Sequence, residues 1–210
     1  METDRKWVLI RIDGKIAAIS NDYRALARIA GHLTAPQPAD KTGRRRKKMQ
    51  RANNETKPLF GNVSAVTVGL EEILQLKKVV KWEDLMLFGT EFQKKVWKTL
   101  WELTHSEDGS KSAKLLSYSD FAGICDNPAG VRAVAHAISL NPIPILIPCH
   151  LVVPKESIDR IREIRRKAEV TIFKGEDLCL SSILSDPAVD FGEYSLGKSL
   201  KRQLITSDLG

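Results

Sequence analysis

The residues best suited to chemistry close the stretch 141–150, which reads N-P-I-P-I-L-I-P-C-H. It delivers a thiol, Cys149, and immediately afterwards an imidazole, His150. Pro142, Pro144 and Pro148 fix φ and remove three backbone donors, which excludes a helix interior or a regular central strand. Ile145, Leu146 and Ile147 between them call for burial. The pattern predicts a rigid, buried, extended strut that holds a nucleophile in place. Thiols attack as thiolates, so a neighbour must take the proton or stabilise the anion. Adjacent side chains of an extended segment point to opposite faces, so His150 would reach Cys149 only through a water or a turn. A carboxylate behind the imidazole would fix its tautomer and stabilise its cation.

The elements that must position this strut lie just upstream. Thr90 can cap a helix through Phe92, Val96, Trp97, Leu100 and Trp101. A polar loop over 104–114 follows, and Ser117 then caps a second helix holding Tyr118, Phe121, Ala122 and Ile124. Residues 126–128, Asp-Asn-Pro, make a turn, with Pro128 placed to start a further helix over 129–140. That helix is lined by Ala129, Gly130, Ala133, Ala135 and Ala137 and carries one long cation, Arg132. Helix, short turn, helix is the outline of a helix-turn-helix, but this second helix has almost no polar side chains to read base edges. Two accounts stand side by side. Small residues permit close approach to a narrow minor groove, with Arg132 entering the stack where a base has left it. Equally, the alanines pack on another helix and Arg132 makes a surface salt bridge.

The remaining chain bounds the function class. Its 210 residues suffice for one large or two small domains, and no apolar run approaches the roughly 20 residues that span a bilayer. Residues 1–6 are charged and no signal-peptide core follows them. Cys125, Cys149 and Cys179 are too widely spaced for a zinc site or a disulfide framework, so a reducing intracellular compartment is the simplest reading. His32, His105 and His136 belong to no ligand constellation, and His136, among alanines, reads as structural. No metal or cofactor is expected. A net charge of +7 favours polyanionic partners. Residues 7–20 alternate around Asp13-Gly14 as a β-hairpin. Asp22 can cap a helix with Leu26, Ile29, Ala30 and Leu33, and 63–68 reads as a strand. Leu70, Ile73, Leu74 and Leu76 suit one face of a short helix. The stretch 34–58 is a basic linker or loop whose run 44–48 is either a solvated loop or a phosphate-contacting or targeting patch.

Four segments together resemble the O6-alkylguanine-DNA alkyltransferases, proteins of direct DNA repair. They are G-T-E-F-Q-K-K-V-W (89–97), S-Y-S-D-F-A (117–122), N-P-A-G-V-R-A-V-A-H-A (127–137) and the strut itself. The resemblance spans about 89–210 and implies an α/β (α+β) protein. A small amino-terminal α/β domain, 1–88, would precede a mostly helical, winged-helix-like alkyltransferase domain with a helix-turn-helix. It implies Cys149 as alkyl acceptor and His150 as the partner drawing off its proton through a water. Asn141 falls at the hinge asparagine, Arg132 at the arginine that replaces the flipped nucleotide, and Tyr118 at the tyrosine that helps turn the target phosphate. Ala129, Gly130 and Ala133 fall on the DNA-facing helix, and Pro144, Tyr194 and Ser195 around the guanine. Counting on from Tyr194 places the family's catalytic glutamate at Asp208. The implied partner is double-stranded DNA carrying O6-alkylguanine, bound in the minor groove by a monomer, with O4-methylthymine a further lesion. An intracellular site, nuclear in a eukaryote, goes with it.

Departures from the family pattern set further expectations. Leu151 stands where arginine is usual. Leu196 replaces a glycine, and its bulk would narrow the pocket. Asp208 is shorter than glutamate by one methylene, roughly 1.5 Å of reach, which would weaken the relay. An insertion over about 154–190, with a charged helix over 157–170 bearing Ile158, Ile161 and Ile164, would either cover or shift the pocket's lid or be a surface excursion. These departures motivate a competing reading, an alkyltransferase-like protein that binds lesions and reacts weakly or not at all. A cysteine hydrolase or thiol regulator fits less well, because adjacent Cys and His do not meet as a hydrolase pair must.

Overall fold

The computed structural model describes residues 6–21, 62–105, 113–172 and 180–209. The helix expected after Asp22, the basic stretch 34–58, His32 and Cys179 lie outside them.

Strands β1 (Trp7–Ile12) and β2 (Lys15–Ser20) form the expected hairpin. Asp13 and Gly14 both take positive φ, 50° and 81°, as a two-residue turn matched to strand twist requires. β3 (Val63–Val68) pairs antiparallel with the other edge of β1, giving the order β2-β1-β3. β2 is buried from Ile16 to Ser20 because the main body covers its outer edge. Ile16 accepts from the Met86 amide (2.8 Å), and the Ile19 amide donates to the Pro142 carbonyl (3.0 Å). The small sheet is thus hydrogen-bonded to the start of the Cys-His segment. Helix α1 (Leu70–Val79) buries Leu70 and Ile73.

Helix α2 (Glu91–Glu102) starts on a reciprocal cap: Thr90 Oγ1 accepts from the Gln93 amide, and Gln93 Oε1 accepts from the Thr90 amide. It buries Val96, Trp97, Leu100 and Trp101. Ser117 caps α3 (Tyr118–Ile124), its Oγ accepting from the Asp120 amide (3.1 Å). The helix expected over 129–140 begins as a 3-10 turn, Pro128–Gly130, and becomes α4 only over Val131–Ser139. The tight start lays the Asn127 side chain across Gly130, where a Cβ would lie 2.2 Å from Asn127 Nδ2. Trp97 Nε1 donates to the Ala137 carbonyl (2.8 Å), fixing α4 on α2.

After α4 the strut differs from the extended form expected of it. The Ile147 amide donates to Ile143 O (3.0 Å) and the Cys149 amide to Ile147 O (2.8 Å). Ile145 takes a φ of 76°, and Cys149–Leu151 is a 3-10 turn. Three prolines leave few amides, and those of Ile143, Ile147 and Cys149 are satisfied inside the segment, so the chain folds into a series of turns. β5 (Val152–Val153) then pairs in parallel with β4 (Leu116–Ser117).

The insertion forms α5 (Lys155–Ile172) and α6 (Leu180–Ser185). It packs on α7 (Lys198–Leu209) around its own apolar cluster of Val153, Ile161, Ile183, Leu184, Val189, Phe191 and Ile205. Arg202 donates to the Leu184, Asp186 and Val189 carbonyls and anchors the return. The larger core runs continuously from Trp7, Ile16 and Ile73 through Trp97 and Val134 to Leu146 and Leu200. Among the described residues no helix is long and apolar enough to cross a membrane.

Candidate active site

Cys149 and Asn141 line a cleft of about 370 Å³ with Tyr118 of α3, Ala135, Ile138 and Ser139 of α4, and Tyr194, Ser195 and Lys201 from the carboxy-terminal segment. The volume lies at the lower end for small-molecule sites. The thiol sits at its floor, 7% exposed. Asn141 binds the turn together: its Oδ1 accepts from the Ile143 amide (3.0 Å), and its Nδ2 donates to Ile147 O (3.0 Å) and to Cys149 Sγ (3.1 Å).

His150 is fully buried, and no direct hydrogen bond joins it to the sulfur. Its Nε2 lies 2.8 Å from Asp208 Oδ2. A carboxylate there assigns the proton to Nε2 and leaves Nδ1 as the basic nitrogen. Nδ1 has no hydrogen-bond partner among the described residues. The shorter side chain of Asp208 therefore reaches the imidazole, contrary to the weakened relay expected. α7 delivers it in the last helical turn, close enough that a glutamate's extra methylene is unnecessary.

Two lysines complete the site, and neither is visible as functional in the sequence. Lys77 of α1 places Nζ 2.7 and 2.6 Å from the two oxygens of Asp208, with both side chains 11% exposed. Lys201 is buried and donates to the carbonyls of Val152 (3.2 Å), Phe191 (2.6 Å) and Glu193 (3.5 Å). It thereby ties β5 to the loop that carries Tyr194. Both occur in helices whose charge patterning reads as solvated surface; only a lysine at a core-facing position, as Lys201 is beside Leu200 and Leu204, gives any signal.

Burial pushes the Cys149 thiol above its usual range, opposed by the Asn141 hydrogen bond, the Lys201 charge and the nearby Tyr194. It pushes His150 down, against the hydrogen bond with Asp208 and with the help of the Lys77 charge. Burial also works against ionised Asp208, but His150 and Lys77 outweigh it and hold its carboxyl low. Desolvation lowers Lys201 to about 8. Desolvation and the neighbouring Cys149 raise Tyr118, and raise Tyr194 well above its ordinary value. The free site is therefore a neutral thiol beside a neutral imidazole backed by an ionised carboxylate. Such a pair passes to thiolate and imidazolium when the developing anion gains a partner.

The other candidates divide. Ala129, Arg132 and Ala133 are exposed on the outer face of the 3-10 turn and α4, while Val134, Ala137 and Ile138 face the core. His136 is exposed on that outer face, not structural as expected. Arg132 pairs with no acid among the described residues. Pro144 is buried in the turn, bridged to Ile147, and does not line the cleft. Leu196 is 4% exposed and belongs to the core, so its bulk leaves the cleft wall to Ser195. Leu151 is likewise buried. No described residue of 154–190 lines the cleft, which removes the expected cover over the pocket from that part of the insertion. Among the described residues no group of three His, Cys, Asp or Glu is placed to hold a metal ion.

The fold and site define a helix-turn-helix protein with a buried row of thiol, imidazole and carboxylate. Residues 91–170 match the DNA-binding domain of 6-O-methylguanine DNA methyltransferase. It is 47% identical over 74 residues to a probable methylated-DNA–protein-cysteine methyltransferase of Acanthamoeba polyphaga mimivirus, covering 35% of this chain and 45% of that protein. With the inducible methylated-DNA–protein-cysteine methyltransferase of Bacillus subtilis it shares 43% over 67 residues, 32% of this chain and 34% of the relative. The chain thus spans less than half the length of these relatives. A crystal structure of Mycobacterium tuberculosis OGT in complex with DNA aligns over 59% of this chain and 52% of its own, at 26% identity and a TM-score of 0.36.

Proposed function

We propose that the protein repairs DNA by transferring an alkyl group from O6-alkylguanine to Cys149, once per molecule. The observation that carries this reading is the thiol at the cleft floor, hydrogen-bonded by Asn141 and followed by a histidine whose far nitrogen is held by Asp208. In the proposed step the thiol proton passes by way of a water to His150 Nδ1, and Asp208 and Lys201 stabilise the resulting imidazolium and thiolate. Sulfur attacks the alkyl carbon, the carbon–O6 bond breaks and a carbon–sulfur bond forms. The guanine leaves with a proton equivalent to the one sulfur lost, so no cofactor is consumed. The thioether has no route back to thiol.

The exposed face of Ala129, Arg132 and Ala133 is the proposed DNA contact. Small side chains admit the sugar-phosphate walls of the minor groove, and Arg132 fills the stack vacated by the flipped base. Tyr118, Tyr194 and Ser195 line the cleft that would receive the guanine. The amino-terminal unit, about 1–88, supports the alkyltransferase unit, about 89–210. Incubating the protein with a duplex containing O6-methylguanine is expected to add the mass of one methyl to the peptide bearing Cys149. Cys149→Ala abolishes the gain, and Arg132→Ala slows it at limiting DNA. Tight lesion binding with Cys149 unmodified would replace this reading with that of a non-reacting lesion-binding protein.

A further inference from the structure

The Lys77–Asp208 pair meets His150 at Nε2 and joins two distant parts of the chain. Lys77 belongs to the last turn of α1, Asp208 to the last turn of α7. The ammonium contacts both carboxylate oxygens, while the imidazole contacts only Oδ2. A second cleft of about 380 Å³, bordered by Lys77, Asp208, His105 and Ser207, opens on this pair from behind. The carboxylate therefore has a permanent cationic partner that is not His150. That changes its effect on the imidazole, because an acid already neutralised by an ammonium attracts an imidazolium less strongly.

We propose that Lys77 is a positioning residue of this site: it grips both oxygens of Asp208, aims the carboxylate at His150, and keeps the Cys149–His150 pair uncharged in the free protein. The charged or titratable groups facing His150 are Asp208 and Lys201 from α7, Lys77 from α1, Tyr194 from the loop before α7, and the adjacent Cys149. Of these, Lys77 and Lys201 oppose an imidazolium and Asp208 favours it. Lys201 also favours the thiolate, whereas Lys77 acts on the imidazole and its carboxylate. The benefit rests on reading Cys149 as a single-use nucleophile. Thiolates are the form consumed by stray electrophiles and oxidants, and a molecule that reacts once has no spare. Holding the proton on sulfur until DNA is bound protects it.

The test uses the full chain without DNA. In Lys77→Met, iodoacetamide is expected to alkylate Cys149 at pH 7 about tenfold faster, the consequence of a shift of about one pKa unit. The His150 imidazole, followed by NMR in labelled protein, titrates at higher pH. Lys77→Arg restores slow alkylation and the low titration. Wild-type or slower alkylation of a folded Lys77→Met protein, or an unmoved His150 titration, overturns the proposal. If that variant does not fold, Lys77→Gln, uncharged but still a donor, is measured with the same expected outcomes. Neither readout involves methyl transfer. A wild-type protein that fails to take a methyl from DNA would remove the proposed repair function and leave this result standing.

Discussion

Replacing Asn141 with alanine removes three interactions at once. The Ile143 amide loses its acceptor inside a buried turn, at a cost of about 1–3 kcal/mol for an orphaned donor. The donations to Ile147 O and Cys149 Sγ contribute roughly 0.5–1.5 kcal/mol each, and Ile147 O keeps its bond from the Cys149 amide. The sum, about 2–6 kcal/mol, corresponds to a fall in Tm on the order of 4–24 °C for a chain of this size. The sulfur also loses its neutral donor. A hydrogen bond to a charged group is worth about 1.5–3 kcal/mol, so the thiolate fraction at pH 7 falls on the order of tenfold or more. Thermal unfolding reads the first effect and the iodoacetamide rate at Cys149 the second. Asn141→Asp separates them: it retains an acceptor for Ile143 but sets a negative charge beside sulfur, and should slow alkylation below the alanine variant. If Asn141→Ala melts with wild type and alkylates at the same rate, Asn141 neither holds the turn nor acidifies the thiol, and the reasoning fails.

Lys201→Met strands the carbonyls of Val152 and Phe191 and removes a cation that favours the thiolate. It should destabilise the protein by about 2–4 kcal/mol and slow alkylation of Cys149 at pH 7 by about tenfold, checked by melting and peptide mass spectrometry. His150 and Asp208 both titrate below their ordinary values of 6.5 and 3.8. For each, the unfolded chain binds protons more readily, so stability is full above the ordinary value and is lost as pH falls through the lower folded one. Tm should therefore decline below about pH 6.5 and again below about pH 4. His150→Gln should remove the first decline, and a pH-independent Tm between 7 and 5 in the wild type would contradict the burial of a neutral imidazole.

Local signals foretold local structure. Asp13-Gly14 meant a hairpin because few other pairs tolerate two positive φ angles. Thr90 and Ser117 meant helix starts because their hydroxyls satisfy orphan amides. The prolines of 141–150 excluded helix and strand, yet said nothing of how the remaining amides would be met, so the turns and the left-handed Ile145 were not legible. A β-branched residue at that φ costs about 1–3 kcal/mol, sustained by the packing around it. Cys149, His150 and Asn141 could be found because they adjoin. Asp208 was placed only by counting from Tyr194 under a resemblance, and Lys77 gave no signal at all, since its partner lies 131 residues away. The exposure of His136 was not legible because its alanine neighbours in sequence are not its neighbours in space.

The hydrogen bond from the Ile19 amide to the Pro142 carbonyl carries a consequence for where this chain can be cut. The stretch that matches the family's DNA-binding domain ends at residue 170 and begins at 91. Excised, it would retain the thiol, the imidazole and Asn141, but forfeit Asp208 and Lys201 with α7, Lys77 with α1, and β2 along the flank of the Pro142 turn. The bare flank would expose Ile143 and Leu146, now wholly buried, to water. Kinship in sequence and independence in folding have different borders here, and a fragment drawn along the first would hold the nucleophile without the scaffold that makes it one.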